Sequence, residues 1–312
     1  MKKTVLIFGI SSFVGSNLAQ LLKDDYRVVG TYFKTPVSIP GITSYPCDIL
    51  KRDYVTSLVG MLKPDITIYA IGMSSLTACK LNPKMADALN SVGVANACRS
   101  SERVGSKFVL ISSSFVLSGD NISFKEVDIP LPGTAYGNSM SAAEFFVQRS
   151  CINYLVLRTC PLYGLSYNPL HPNWFEYVQE ALAKGQPLES DDSVSTGYLD
   201  IGIFSRILKT CIEANVTNRL LQVSSQNIMT RFQFAQLYAR TFKQDEALIV
   251  SSKIGLPKEG QDKRAQASSK HLSYQMDTTN LESVVGAKLP KIEESLQFTF
   301  KRMSPKISAK NS

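Results

Sequence analysis

The sequence has few of the residues from which metal sites are built. Among its 312 residues there are only two histidines and six cysteines, and the cysteines show no CxxC spacing. A zinc site needs four such ligands, usually in closely spaced pairs, so we expect no metal site. Widely scattered cysteines are typical of free, mostly buried thiols in a reducing compartment. They are Cys47, Cys79, Cys98, Cys151, Cys160 and Cys211.

Long hydrophobic runs are also absent. No apolar stretch approaches the roughly 20 residues that a membrane-spanning helix needs. The first residues, MKKTVLIFGISSFVG, begin with lysines and a short apolar run, but glycine and serines soon follow. A signal peptide has a longer apolar region and a small-residue cleavage site, which does not fit here. We therefore interpret the run as a buried first strand and expect a cytoplasmic protein without a membrane partner.

The positive charge is not arranged as a nucleic-acid-binding surface would be. The formal net charge is +8, yet no block of lysine and arginine has aromatic residues interleaved. Much of the excess lies near the C-terminal end. The phosphates of a small ligand satisfy such a balance as well as DNA does. We therefore favour a small anionic molecule over nucleic acid as the partner.

Apolar runs that alternate with helical periodicity fill the first half of the chain. We predict strands at 4–9, 27–33, 66–72, 107–114 and 153–159, and helices at 12–25 and 83–105. Continuous apolar strands separated by helices indicate a parallel sheet that is covered on both faces. The sequence thus predicts an α/β fold with a doubly wound parallel sheet, the Rossmann architecture, whose ligands bind at the carboxyl ends of the strands.

The pattern changes beyond about residue 164, where loops, polar turns and helices mix. We predict a dinucleotide-binding Rossmann domain over 1–163, completed by about 198–224. The rest of 164–312 is predicted to form a smaller α+β domain that binds the substrate. Within it, TRFQFAQLYARTF reads as a helix introduced by a threonine N-cap.

A glycine-containing loop, Gly9-Ile10-Ser11-Ser12-Phe13-Val14-Gly15, lies between the first strand and the first helix. Small residues let a backbone approach a pyrophosphate, and the helix N-terminus offers free amides and a positive dipole to the anion. A tight structural turn is the alternative interpretation. The loop resembles the GxxGxxG of the extended short-chain dehydrogenase/reductases, with Ser12 in place of the middle glycine.

The residues after the second strand bear on the choice of dinucleotide. NAD enzymes usually place a carboxylate at this strand end to bind the ribose, whereas this chain has Gly30-Thr31-Tyr32-Phe33-Lys34. The missing carboxylate and Lys34 favour NADP over NAD, although Lys34 fits a solvated surface position as well. The resemblance implies further cofactor contacts at Tyr32, Asp48-Ile49, Ala70-Ile71-Gly72, Asn90 and Pro161.

Several collinear stretches narrow the resemblance to the dTDP-4-dehydrorhamnose reductase-like branch of this family. They are GTYFKTP, LNPKMADALN with Asn90, LISSSFVLSG, VLRTCPLYG with Pro161, and YQMDTTNLES. The branch usually shows STDYVFDG, where this chain has Ser114, Phe115 and Ser118, and Lys270-His271 replaces a frequent Arg-Pro. The substrate of this chain can therefore differ from that of the branch.

The resemblance implies a reaction and the residues that carry it. It implies an NADP(H)-dependent reductase of a nucleotide-linked 4-keto sugar, in which Ser113 polarises the carbonyl and Tyr136 is the proton donor. Ser112 and Ser114 are alternatives to Ser113 for the hydroxyl. Candidate substrate contacts are Ser74, Ser114, Lys270 and Trp174, whose ring suits stacking on a nucleotide base, although a core position is the alternative interpretation of Trp174. A homodimer is a frequent state in the family. A nucleotide-sugar epimerase or dehydratase is an alternative activity.

Met140 departs from the family, which has a lysine at this position. Residues i and i+4 share one helix face, so a lysine here would lower the pKa of Tyr136 from about 10 and hydrogen-bond the nicotinamide ribose. Ketone reduction needs a proton donor, which neutral tyrosine is, whereas oxidation needs a base. Three interpretations stay open: a specialised reductase, an NADP-binding regulatory or structural protein with little turnover, and a methionine introduced in place of a natural lysine.

Overall fold

The computed structural model describes residues 2–119, 123–167, 172–253 and 271–308, with side chains to residue 303. The strands are β1 (Thr4–Phe8), β2 (Arg27–Tyr32), β3 (Thr43–Pro46), β4 (Ile66–Tyr69), β5 (Lys107–Ser113), β6 (Ser123–Phe124), β7 (Tyr154–Thr159), β8 (Leu162–Tyr163), β9 (Leu188–Asp191), β10 (Val194–Thr196), β11 (Leu199–Asp200), β12 (Arg219–Val223), β13 (Met229–Thr230), β14 (Ile249–Ser252) and β15 (Leu272–Met276). The α-helices are α1 (Phe13–Leu22), α2 (Arg52–Leu62), α3 (Leu76–Leu81), α4 (Pro83–Asp87), α5 (Gly93–Arg103), α6 (Ala135–Ser150), α7 (Trp174–Ala183), α8 (Ile201–Glu213), α9 (Arg231–Phe242), α10 (Thr279–Val285) and α11 (Ile292–Ser308).

Seven parallel strands form the main sheet, in the order β12-β7-β5-β4-β1-β2-β3. The chain runs outward from β1 through β2 to β3, and then returns to the other side of β1 to add β4. Such a reversal leaves a crevice beyond the carboxyl ends of the strands, next to β1. The predicted doubly wound parallel sheet is therefore confirmed.

Both faces of the sheet are covered by hydrophobic clusters. Side chains alternate along β1, so that Val5 and Ile7 enter one cluster while Leu6 and Phe8 enter the other. Helices α1 and α8 pack together, as do α2 and α5. This double cover explains why the strands read as continuous apolar runs. The six cysteines are free and buried, as predicted.

The helix predicted over 83–105 contains a break in its hydrogen-bond pattern. Between α4 and α5 the chain forms a π-helical turn over Ala88–Val92, in which Asn90 is buried. Such turns are rare and are frequent at functional sites. The amino-acid periodicity does not show the extra residue in this turn, so the sequence predicted a regular helix.

Smaller sheets and an aromatic cluster accompany the main sheet, mostly in the second half of the chain. One sheet has the order β13-β10-β15-β6, and two strand pairs, β11-β8 and β14-β9, accompany it. Tyr163, Phe175, Tyr198, Phe234 and Tyr238 belong to one buried cluster. Strand β12 returns to the edge of the main sheet beside β7. The domain boundaries at 163 and 198–224 stay a prediction.

The residues that the structure describes contain neither a membrane-spanning helix nor a metal-binding group of side chains. In these ranges no helix combines the length and the apolar character that crossing a bilayer requires. Within the same ranges, no group of three or more His, Cys, Asp or Glu side chains could hold a metal ion.

Candidate active site

A cleft of about 1080 Å³ lies beyond the carboxyl ends of the main-sheet strands. Its lining includes residues that end or follow β1, β2, β4, β5 and β7, and residues of α7, β9, β10 and α9. The predicted site residues that line it are Gly9, Ser11, Ser12, Phe13, Val14, Tyr32, Asp48, Ile49, Ile71, Gly72, Ser74, Ser113, Tyr136, Pro161 and Trp174. The fold therefore gathers local motifs from distant parts of the sequence into one cavity.

The loop after β1 turns sharply because two glycines permit it. Gly9 has a φ of +86°, and a Cβ added to Gly15 would lie 2.2 Å from the carbonyl oxygen of Gly9. No side chain larger than hydrogen fits that approach. The helix α1 consequently begins directly over the end of β1, with its N-terminus at the cleft.

Ser12 replaces the middle glycine of the motif without straining the turn. Its φ is −72° and its ψ is 162°, which any residue adopts, and it is the N-cap of α1. The backbone N–H of Gly15 donates to the Ser12 hydroxyl over 3.0 Å. The substitution thus keeps the turn but engages one amide that would otherwise be available to an anion.

The end of β2 presents aromatic rings to the cleft and no carboxylate. Tyr32 and Phe33 line the cleft. Lys34 is exposed, and its Nζ lies 5.4 Å from the centroid of the Phe33 ring. Lys34 itself does not line the cleft, but it directly follows Phe33, which does, and its four-carbon side chain is flexible.

Ser113 and Tyr136 both line the cleft. Ser113 ends β5, and Tyr136 lies in the first turn of α6, whose N-cap Thr134 accepts a hydrogen bond from Gly137. The Ser113 hydroxyl lies close enough to the Tyr136 phenol to affect its pKa. Burial raises the pKa of Tyr136 to about 12, against the lowering effect of Ser113. Tyr136 is therefore a neutral phenol at pH 7.

Met140 lies one helical turn after Tyr136 and is buried in the hydrophobic cluster on one face of the main sheet. It is 6% exposed and shares this cluster with Ile7 and Leu157. The groups that shift the pKa of Tyr136 are its apolar surroundings, Ser113 and Cys79, and none of these carries a positive charge. Position 140 thus supplies packing where the family has a cation.

The opposite wall of the cleft comes from the second half of the chain. Trp174 opens α7 behind a capping box formed by Asn173 and Glu176. The guanidinium carbon of Arg231 lies 5.4 Å from the centroid of the Trp174 ring. The rings of Trp174 and Tyr198 stack at 6.3 Å. This wall therefore combines aromatic surface with a cation.

Some predicted site residues do not line the cleft. They are Gly15, Lys34, Ala70, Asn90 and Ser114, while Lys270 lies outside the described residues. The Asn90 amide donates to the Met73 carbonyl over 3.0 Å and to the Ser139 hydroxyl over 3.0 Å, so it supports α6 from behind. Ser114 is fully buried because β5 ends at Ser113 and a 3-10 turn begins with Ser114.

Sequence reasoning missed several residues of the second wall. Arg231, Ser190 and Thr196 line the cleft but belong to no stretch that was singled out as a site. One signal was present, since Val194, Thr196 and Tyr198 alternate as side chains on one face of a strand do. The predicted threonine cap of α9 also marked Arg231, which follows it, as the first residue of a helix.

Comparison with known proteins supports a relationship over the whole chain. The chain is 24% identical over 295 residues to the probable low-salt glycan biosynthesis reductase Agl14 of Haloferax volcanii, covering 93% of this chain and 95% of that protein. It is 28% identical over 163 residues to the dTDP-4-dehydrorhamnose reductase of Aggregatibacter actinomycetemcomitans, 51% of this chain and 52% of that one. A match to methionine adenosyltransferase 2 subunit beta of Bos taurus has 24% identity over 163 residues, 52% of this chain and 48% of that one.

Solved structures share the fold. The dTDP-4-dehydrorhamnose reductase from Bacillus anthracis, in complex with NADP, has a TM-score of 0.80 at 21% identity, over 97% of this chain and 99% of that one. MoeE5 in complex with UDP-glucuronic acid and NAD has a TM-score of 0.78 at 18% identity, over 96% and 99%. At such identities the likeness concerns the fold, and function must be argued from the site.

The family model for the RmlD substrate binding domain matches residues 1–304. This range includes both walls of the cleft and all of the collinear stretches on which the resemblance to dTDP-4-dehydrorhamnose reductase-like enzymes rested. That resemblance is confirmed, and the chain belongs to the RmlD substrate binding domain family.

Proposed function

We propose that the protein is an NADPH-dependent reductase of a 4-keto sugar carried on a nucleotide. The observation that carries the proposal is that Ser113 and Tyr136 lie next to each other in the same cleft as the loop after β1. The relatives named as reductases support the same reaction class.

The dinucleotide loop fits a nicotinamide cofactor. Glycines at positions 9 and 15 let the end of β1 turn tightly into α1, and the first amides of α1 have no intrahelical acceptor. The amides of Phe13 and Val14 would hold the pyrophosphate, and Tyr32 would border the adenosine. A nicotinamide dinucleotide supplies the hydride when it is bound. The missing carboxylate after β2 and the nearby Lys34 favour NADP.

Tyr136 supplies the proton in the proposed reaction. The Ser113 hydroxyl donates a hydrogen bond to the carbonyl oxygen of the substrate, and the phenol of Tyr136 donates a second one to the same oxygen. As negative charge develops on that oxygen, the Tyr136 proton moves to it and the alcohol forms. The raised pKa keeps this proton in place at neutral pH.

The surroundings of Tyr136 favour reduction over epimerisation. Epimerisation begins with an oxidation, for which the tyrosine must act as a base. Burial raises the pKa of Tyr136 to about 12, and no positively charged group contributes to lowering it. A phenolate is therefore scarce at pH 7, so we prefer a reductase to an epimerase or dehydratase.

A regulatory or structural NADP-binding protein of the same fold is the second candidate. Met140 favours it, because the family lysine would also hold the nicotinamide ribose. One relative is named as a subunit beta of methionine adenosyltransferase 2, which supports the same alternative. A homodimer and a cytoplasmic location stay predictions for either candidate.

Two measurements test the proposal. NADPH fluorescence on titration with the purified chain tests cofactor binding, and a failure to bind would exclude both candidates. Turnover of dTDP-, UDP- and GDP-linked 4-keto sugars then separates them. We expect Tyr136→Phe to lower turnover by about 10²–10⁴-fold without changing NADPH affinity.

Tyr54→Phe is the matched control for that variant. Tyr54 is an exposed residue of α2 whose hydroxyl donates to the Pro46 carbonyl, away from the cleft lining. The activity of the Tyr54→Phe variant should equal that of the original chain. NADPH binding without turnover of any of these sugars would favour the regulatory candidate.

A further inference from the structure

The part of the cleft lining that comes from the second half of the chain carries polar groups of its own. This wall, here called the β10 wall, consists of Ser190, Val194, Thr196, Tyr198 and Arg231, which all line the cleft. Strand β10 pairs with β13, so that Ser195 lies opposite Thr230 and Thr196 opposite Met229. Arg231 follows Thr230 as the first residue of α9, which brings it beside this strand.

Arg231 is a fixed cation on the cleft surface. Its positive charge lies near the Tyr198 phenol, and its guanidinium carbon lies 5.4 Å from the centroid of the Trp174 ring. Among the cleft-lining residues in the described ranges, it is the one arginine or lysine. Contacts on a ring face and a phenol orient the planar guanidinium while its remaining N–H groups stay available for an oxyanion.

Two hydroxyl groups of the same wall lack partners. Ser190 is 2% exposed and Thr196 is 3% exposed, and neither side-chain oxygen has a hydrogen-bond partner among the described residues. A buried hydroxyl without a partner is unfavourable, and native proteins rarely keep one without a reason. Both residues line the cleft, so a ligand in the cleft is a ready source of partners.

Two carboxylates beside the β10 wall, those of Asp191 and Glu189, have other roles than binding an anion. Asp191 accepts hydrogen bonds from the Ser193 hydroxyl over 2.7 Å and from the Val194 amide over 3.1 Å, and so fixes the turn before β10. Glu189 is exposed and also lines the cleft. Its carboxylate suits the hydroxyls of a sugar rather than a phosphate, so Arg231 and the two orphan hydroxyls form the part of the wall that favours an anion.

We propose that Arg231, together with the hydroxyls of Ser190 and Thr196, binds the diphosphate of the nucleotide-linked substrate. The inference rests on the proposed function, since it assigns the substrate anchor of that same cleft. Arginine offers two parallel N–H donors to a phosphate, a fork that a lysine lacks. The diphosphate is thereby held on the wall opposite the dinucleotide loop, leaving the sugar to extend towards Tyr136.

A diphosphate in this cleft has two sources, the substrate and the dinucleotide, and a binding experiment separates them. Binding of dTDP, UDP and GDP to the full chain with saturating NADPH is measured by calorimetry, and NADPH binding is measured by fluorescence. We expect Arg231→Gln to weaken nucleoside diphosphate binding at least about tenfold, and Arg231→Lys to restore part of it. NADPH affinity should stay within about twofold in both variants.

Arg219→Gln is the matched control, because Arg219 is exposed at the start of β12, outside the cleft lining. Thr196→Val gives an independent readout. Removing an orphan hydroxyl should raise the unfolding midpoint of the ligand-free protein while weakening nucleoside diphosphate binding. A merely structural threonine would not move these two quantities in opposite directions.

The outcomes distinguish this inference from the proposed function. Equal nucleoside diphosphate binding by Arg231→Gln and the original chain would overturn the inference and leave the reductase proposal standing. A loss of NADPH affinity instead would assign Arg231 to the cofactor and overturn it as well. An original chain that binds none of the three diphosphates would overturn both the inference and the proposed substrate class.

Discussion

Arg158 and Glu144 form an ion pair in the interior of the protein, with 2.7 Å between Nη2 and Oε2 and side chains that are 1% and 2% exposed. The other carboxylate oxygen of Glu144 accepts from Arg158 Nε over 3.1 Å and from the Ser112 hydroxyl over 2.5 Å. The pair connects α6, β7 and β5. Tyr136 lies in α6 and Ser113 in β5, so the pair holds together the elements on which the candidate active site is built.

Removing one partner of this pair should strongly destabilise the fold. We expect Glu144→Gln to lower the free energy of unfolding in urea by about 3–5 kcal/mol, because it leaves the Arg158 charge buried without compensation. Glu144→Leu combined with Arg158→Met should lose less, since no charge remains in the interior.

The exposed pair of Lys184 and Glu180 is the control for this measurement. Its atoms are 2.5 Å apart, but the side chains are 55% and 61% exposed. Glu180→Gln should therefore change the free energy of unfolding by no more than about 1 kcal/mol. Similar losses for Glu144→Gln and Glu180→Gln would contradict the role assigned to the buried pair.

The main sheet was predictable because burial on both faces leaves a strong imprint on the sequence. Continuous apolar runs marked β1, β2, β4, β5 and β7. The edge strand β3, with the sequence TSYP, was missed because its residues are polar or half-buried and it contains a proline. Strands of two residues, such as β8 and β11, have no periodicity at all and depend on tertiary pairing.

Lys34 offers a test of cofactor preference. If its ammonium meets the 2′-phosphate of NADPH, Lys34→Ala should raise the Kd for NADPH about tenfold, or about 1.4 kcal/mol, and leave the Kd for NADH unchanged. Fluorescence titration with both cofactors measures the ratio. Lys125→Ala removes an exposed lysine outside the cleft lining and should leave both constants unchanged. A parallel loss of NADPH and NADH affinity would contradict a specific phosphate contact.

Ser12 offers a test of the dinucleotide loop. Ser12→Gly restores the family glycine and releases the Gly15 amide from the Ser12 hydroxyl. We expect tighter NADPH binding, because one more donor faces the pyrophosphate, and a loss of only a few tenths of a kcal/mol in stability. Asn82→Gly, at the exposed N-cap of α4, should show the stability loss without the gain in affinity. Unchanged NADPH affinity in Ser12→Gly would show that this amide does not contact the cofactor.

The site was predictable where chemistry depends on neighbouring residues in sequence. Two such features are visible in short stretches of the sequence. They are the loop over Gly9–Gly15 and the four-residue spacing of Tyr136 and Met140. Arg231 could not be assigned in this way, because a helix-opening arginine looks like a surface cation until β10 and β13 bring it to the cleft. The sequence also could not decide whether Ser113 or Ser114 lines the cleft, because this depends on where β5 ends.

Met140→Lys should change the direction in which the chemistry runs most readily. Because the pKa of Tyr136 is raised to about 12, the phenol keeps its proton over the whole neutral range, and the rate of ketone reduction should be flat from about pH 6 to about pH 9. A lysine at 140 would lower this pKa, so that alcohol oxidation by the variant should rise with pH within that window while reduction begins to fall at its upper end.

Met140→Leu controls for packing in this test, since position 140 is 6% exposed within an apolar cluster. A buried lysine also loses solvation, which lowers its own pKa and opposes the effect on Tyr136. The pH profile separates the two contributions, because a lysine that had become neutral would leave the profile of the variant as flat as that of Met140→Leu. A flat profile for Met140→Lys in both directions would therefore contradict the idea that a cation at position 140 controls the protonation of Tyr136.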